Sequence, residues 1–118
     1  MEFSCAQDRA MDWIDAWNSH DLETILALYA EDATMASPYI AELGINAAGV
    51  LHGKPALRDY WRGALQRKPN LRFRRQGTFA GADSLVVTYF NEADRLVAEF
   101  LRYGTDGRIV QGAAQHGR

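Results

Sequence analysis

The hydrophobic period of this chain changes once, near Pro69, and that single change limits the folds open to it. Before the change, apolar residues recur at helical spacing. Ala10, Trp13, Ile14 and Trp17 share one face of a helix over residues 6–17. Leu22, Ile25, Leu26 and Tyr29 do the same over residues 22–29. Leu57, Tyr60, Trp61 and Leu65 mark a third helix that opens at Lys54-Pro55, where proline is tolerated in the first turn. From Leu71 onward the period is two, which predicts strands at about 71–80, 84–92, 95–103 and 108–116. A short strand over 33–36 stops before Pro38. Three helices followed by a meander predict an α+β fold, with the helices on one face of a curved, mainly antiparallel sheet and one apolar pocket between them.

The joints carry their own signals. Asn18-Ser19-His20-Asp21 breaks the first helix and offers a cap for the second, and Asp32 reads as a turn cap after Tyr29. Residues 39–53 are rich in Gly and Ala without a period, and read as a long loop that could cover a pocket. Turns fall at Ala80-Gly81-Ala82-Asp83, Ala93-Asp94 and Thr105-Asp106-Gly107.

Length and charge remove several function classes. The 118 residues suffice for one domain, 1–118, with one core. A net charge of −2 argues against broad nucleic-acid binding, and Arg72, Arg74 and Arg75 read as a solvated strand face. The apolar runs, such as residues 85–87, are too short to span a membrane, and a cytoplasmic location is expected. Cys5, the single cysteine, reads as an idle thiol. His20, His52 and His116 are scattered without metal-ligand spacing, and no phosphate loop or Gly-x-Ser-x-Gly motif occurs. No metal and no cofactor is expected.

The order of elements, with Trp17-Asn18-Ser19-His20-Asp21-Leu22, Leu28-Tyr29-Ala30-Glu31-Asp32-Ala33-Thr34, Ser37-Pro38, Gly53-Lys54-Pro55-Ala56-Leu57-Arg58 and Asp106-Gly107-Arg108-Ile109-Val110, resembles the nuclear transport factor 2-like superfamily. Its SnoaL-like and ketosteroid-isomerase-like branch is the nearer resemblance, and it covers nearly the whole chain. The resemblance implies a cone-shaped α+β barrel, but the superfamily holds isomerases, dehydratases, cyclases, hydrolases and non-enzymes. Ketosteroid isomerases use an aspartate base with a tyrosine and a protonated aspartic acid around the oxyanion. Carried over, the base falls on Ser37, the tyrosine on Trp13 and the acid on Glu99. A further pocket tyrosine falls on Trp61. Only Glu99 keeps its chemistry, so the isomerase mechanism of that family is not expected here.

Strand alternation offers a separate handle on the pocket. Short even turns would place Val97, Glu99, Leu101 and Tyr103 on one face with Val110, Gly112, Ala114 and His116, and with Val86, Thr88 and Phe90. Gly112 and Ala114 would then leave space beneath the helices. Glu99 and His116 become the candidate catalytic pair, and Trp13, Trp17, Tyr29, Ser37, Tyr39, Trp61, Thr88 and Tyr103 the candidate ligand contacts. Two readings stand side by side. One is an acid–base enzyme (isomerase, dehydratase or cyclase) for a small, mostly apolar molecule. The other is a non-catalytic module for binding or dimerisation, with Ala98 and Phe100 on an outer sheet face suited to a homodimer.

Overall fold

The computed structural model describes residues 1–117. Helix α1 (Phe3–Asn18) buries Ala6, Ala10, Trp13, Ile14 and Trp17, the stripe its spacing predicts. Asp21 caps α2 (Leu22–Leu26), its carboxylate accepting from the N–H groups of Glu23 and Thr24 at 3.1 and 3.2 Å. Helix α2 stops three residues short of the expected end, and Tyr29 instead opens strand β1 (Tyr29–Ala36). The cause is a bond from outside the helix: the Ile109 N–H donates to the Leu28 carbonyl at 2.9 Å and draws the chain into the sheet. Asp32 is therefore an exposed strand residue, not a turn cap.

Residues 39–53 are not one loop. Ser37 caps a short helix α3 (Pro38–Glu42), its hydroxyl accepting from the Tyr39 N–H at 3.3 Å. Strand β2 (Val50–His52) pairs antiparallel with β1. Asn46 shapes the turn between them: its Oδ1 accepts from the Gly49 and Val50 N–H groups at 2.8 and 3.2 Å, and its Nδ2 donates to the Val50 carbonyl. Gly49 has φ +71°, and a Cβ there would meet the Ser37 carbonyl oxygen at 3.1 Å. That crowding fits glycine alone. Helix α4 (Lys54–Arg67) buries Leu57 and Trp61. The helices among the described residues thus number four, one more than the period predicted.

Strands β3 (Arg74–Ala80), β4 (Ser84–Phe90), β5 (Leu96–Tyr103) and β6 (Ile109–His116) complete a six-stranded sheet in the order β2-β1-β6-β5-β4-β3. Every neighbouring pair is antiparallel except β1 with β6. Strand β3 starts later than residue 71 because Asn18 grips Phe73 first. The Asn18 amide donates to the Phe73 carbonyl at 2.9 Å and its oxygen accepts the Phe73 N–H at 2.7 Å.

Register fixes what faces the helices. Across β4, β5 and β6 the inner rows are Leu85–Leu101–Gly112, Val87–Glu99–Ala114 and Tyr89–Val97–His116. Val86, Thr88 and Phe90 lie on the outer face, contrary to the expected parity. The β4–β5 connection holds five residues, 91–95, with Phe90 opposite Leu96. Asn91 organises it, its Oδ1 accepting from the Ala93 and Arg95 N–H groups. An odd loop reverses the faces that an even one would give. Val110 also leaves the inner face, because a register shift after Arg102 sets buried Ile109 opposite Tyr103. No helix among the described residues is long and apolar enough to cross a membrane.

Candidate functional site

Helices α1 and α4 lie over the half of the inner face that carries Glu99 and His116, and a cavity of about 350 Å³ separates them from it. Its walls are aromatic. Trp13 stacks on Phe73 with ring centroids 5.7 Å apart, and Phe73 meets Tyr89 at 4.3 Å. Tyr29 meets Trp61 at 4.8 Å, and Trp61 meets Trp17 edge to face at 5.2 Å. Six rings from α1, β1, α4, β4 and the segment before β3 thereby fix one another.

The sequence candidates divide by position. Trp13, Trp17, Tyr29, Ser37, Tyr39, Trp61, Glu99 and His116 all line the cavity. Thr88 does not, since its hydroxyl bonds the Gln76 side chain at 2.5 Å on the opposite sheet face. Tyr103 lies at the other end of the inner face, where the Arg9 guanidinium sits 4.4 Å over its ring. Burial pushes its phenol up to about 12, and it borders a separate open hollow beside Cys5 and Arg102. Tyr89, Phe73, Tyr60 and Lys68 also line the cavity without having been singled out from the sequence. Tyr89 was legible in the alternation Leu85, Val87, Tyr89 once the loop is counted as five. Phe73 carried no sequence signal, because it depends on the distant Asn18 amide.

Glu99 is the electrostatic centre. It is 4% exposed, and loss of water raises its carboxyl to about 8, an effect that hydrogen bonding from the Tyr89 hydroxyl partly offsets. At neutral pH Glu99 therefore keeps its proton. Tyr29 is fully buried, and burial together with the Glu99 charge holds its phenol far above the ordinary range. Its oxygen accepts the Trp13 indole N–H at 2.9 Å. Two other indole donors, Trp17 Nε1 and Trp61 Nε1, are buried without a partner.

His116 belongs to a different neighbourhood. It is half-buried against the Tyr39 ring, with centroids 4.4 Å apart. Burial, then the charge of Lys68, push the imidazole down, with Glu42 opposing. Lys68 in turn pairs with Glu92 at 3.7 Å. Glu99 stands opposite Ala114, not His116, so the two candidate groups are diagonal neighbours, roughly 7–8 Å apart at Cα in such geometry. Each holds its neutral form for its own reason. Ser37 is 6% exposed and its hydroxyl caps α3, so no carboxylate or free nucleophile occupies that position. Among the described residues, no group of three or more His, Cys, Asp or Glu side chains could hold a metal ion.

The geometry offers a neutral acid at the floor, several N–H and O–H donors around it, and a neutral imidazole at the mouth. Comparison with known proteins identifies the family and the fold. The family model for the SnoaL-like domain matches residues 10–112. A SnoaL-like protein of unknown function from Burkholderia thailandensis is 38% identical, with TM-score 0.94, over 100% of this chain and 99% of that one. The epoxide hydrolase/cyclase-like enzyme SalBIII, associated with pyran ring formation in the polyether salinomycin, is 18% identical with TM-score 0.73 over 99% and 95%. An NTF2-like protein of unknown function from Cytophaga hutchinsonii is 11% identical with TM-score 0.70 over 95% and 89%. These last two show likeness of fold alone. No curated protein matches the chain. By its family match over residues 10–112 and its full-length likeness to the Burkholderia protein, this chain belongs to the SnoaL-like domain family.

Proposed function

We propose that the chain is a single SnoaL-like domain that takes a small, mostly apolar molecule into its aromatic cavity and acts on it by acid–base chemistry of the isomerase, dehydratase or cyclase kind. The observation that carries this reading is Glu99, a buried carboxyl held neutral at physiological pH and facing the cavity. Such a group can donate its proton to a carbonyl or a departing hydroxyl oxygen. The neutral His116 at the mouth can accept one. No cofactor or metal enters this scheme.

The test is Glu99→Gln, which keeps shape and a donor but removes the acid. Turnover should fall by roughly 10²–10⁴-fold while ligand affinity stays within a fewfold. In the unsubstituted protein, activity should decline as pH rises through about 8, where Glu99 loses its proton. Unchanged turnover in the variant overturns the assignment.

The second reading, a non-catalytic binding module, is favoured by one observation: Ser37 is engaged as a helix cap where the resembling isomerases place their base. In that case Glu99→Gln alters affinity alone. Both readings include a cytoplasmic homodimer formed through the outer sheet face. Supporting it, Phe79, Val86, Phe100, Ala113, Ala36 and Val50 make one apolar row across all six strands, with Ala98 beside it. Phe79 is 61% exposed. A monomeric mass by light scattering at micromolar concentration would refute the dimer.

A further inference from the structure

The Tyr89 ring is held from two sides of the fold. Phe73 packs on it with centroids 4.3 Å apart, and Trp13 at 5.5 Å. Phe73 is itself tied to α1, because the Asn18 amide bonds both its carbonyl and its N–H, at 2.9 and 2.7 Å. Tyr89 is buried, and a buried phenol needs a hydrogen-bond partner. That partner is the Glu99 carboxyl. Register explains why they meet. Val97 stands opposite Tyr89 and Val87 opposite Glu99, so the two are diagonal neighbours on one face, a spacing that aromatic and long side chains can bridge.

The direction of that bond follows from its effect. A phenol donates or accepts, and a neutral carboxyl does both, through different oxygens. The Tyr89 hydroxyl opposes the burial that keeps Glu99 protonated, as a donor does and an acceptor does not. In the neutral acid the carbonyl oxygen is the better acceptor, so that oxygen faces Tyr89 and the proton stands on the other. Tyr29 on β1 is already engaged by the Trp13 N–H, and His116 on β6 is diagonal to Glu99. Glu42 on α3, Tyr60 and Arg67 on α4, Lys68 after it and Glu92 after β4 also border the cavity. Burial and Tyr89 nevertheless set the Glu99 carboxyl.

We infer that Tyr89 is the positioning residue of this site: its hydroxyl occupies the carbonyl oxygen of Glu99 and leaves the transferable proton on the other oxygen. This rests on the reading of Glu99 as the neutral acid of the cavity. The terminal torsion of a glutamate is broad and two-fold, so without a partner either oxygen can take either place. A donor clamped by Phe73 and Trp13 removes that freedom before a ligand arrives, which is how a rigid neighbour prepares an acid for transfer. In this role Tyr89 touches no reacting atom and acts through Glu99.

The test is Tyr89→Phe, which keeps the ring and both of its stacks and removes the hydroxyl alone. The titration of Glu99 is followed by carbon NMR of isotope-labelled glutamate carboxyls, its signal identified by its loss in Glu99→Gln. The midpoint lies at about 8 in the unsubstituted protein. In Tyr89→Phe it should move upward by about one pH unit, the scale of one hydrogen bond to a charged group. Infrared spectra of the protonated state should also show the Glu99 carbonyl stretch at higher wavenumber in the variant, because accepting a hydrogen bond weakens that bond. Tyr103→Phe removes the phenol hydroxyl at the other end of the inner face and should leave both signals in place. A ring that only packs would move neither, so an unchanged midpoint in Tyr89→Phe overturns the inference. A downward shift overturns it as well, since it would mean that Glu99 donates to Tyr89. If Glu99 titrates near 4.5 in the unsubstituted protein, the neutral-acid reading fails and this inference fails with it. If it titrates near 8 in both proteins, only the positioning role is lost.

Discussion

The inner face of the sheet has two ends built from the same three strands and serving opposite purposes. At one end Leu85 and Leu101 are at most 1% exposed and fill the space under α1, with Gly112 completing the row. At the other, Tyr89, Val97 and His116 border a cavity, and Glu99 stands in the row between. Two residues along a strand separate a close-packed core from an open, polar-floored space. The strand pairing is the same at both ends, since the β4–β5 register runs unbroken through them. The open end also holds the groups that cost most to bury: a carboxyl, two unpaired indoles and a half-buried imidazole. Stability is concentrated where the rows are filled, and chemistry is possible where they are not.

The largest effect that would break this contrast concerns Glu99 itself. Its carboxyl titrates near 4.5 when solvated and at about 8 in the folded chain. Below the lower value both states are protonated. Between the two the unfolded chain ionises while the folded chain holds its proton, so stability falls as pH rises and then levels off above 8. The stability of the unsubstituted protein relative to Glu99→Gln should therefore drop by about 4–5 kcal/mol from pH 4 to pH 9. Urea unfolding of both proteins across that range measures it, and the difference removes the contribution of His116, which runs the other way. A flat difference would mean that the open end hydrates its carboxyl as well as water does.

The next effect sharpens the contrast by truncation. Leu101→Ala at the packed end should cost about 3 kcal/mol, the lost transfer energy plus a new void. Val97→Ala, equally buried but already bordering the cavity, should cost about 1–2 kcal/mol, because its space joins one that exists. Equal losses at the two positions would show that the cavity collapses in solution.

Much of this architecture was legible in the sequence, and the exceptions share a cause. The period change at Pro69 and the stripe Ala10, Trp13, Ile14, Trp17 predicted the layers, because each element buries one face of its own. Glu99 and His116 were placed on one face correctly because β5 and β6 pair with an even offset over that stretch. Thr88 was misplaced because Asn91 builds a five-residue loop from bonds to Ala93 and Arg95, and a residue count cannot distinguish it from a two-residue turn. Tyr103 shares the inner face but not the cavity, since alternation gives the face of a residue and not its distance along it. Helix α3 was hidden in a Gly- and Ala-rich stretch, because five residues are too few to show a period. What escaped the sequence is set by side-chain bonds to distant or irregular backbone, such as Asn18 to Phe73.

The smallest effect lies on the boundary between the two ends. Gly112 is opposite Leu101, and a Cβ added there would sit 3.6 Å from Leu101 Cδ2 and 3.7 Å from Glu99 Oε2. Both are ordinary contacts, so Gly112→Ala needs no rearrangement. The added methyl removes flexibility from the unfolded chain, which stabilises by about 0.4–1 kcal/mol where the native backbone accepts it. The same methyl replaces space beside a Glu99 oxygen with hydrocarbon, and so strengthens the desolvation that raises the carboxyl. Gly112→Ala should thus move the Glu99 titration upward while leaving the fold intact. That shift is read from the pH at which the stability difference against the matching Gly112→Ala/Glu99→Gln protein levels off. A downward shift would mean that the methyl displaces the carboxyl toward water, and that the wall between the packed and open ends gives way at Glu99 rather than at Leu101.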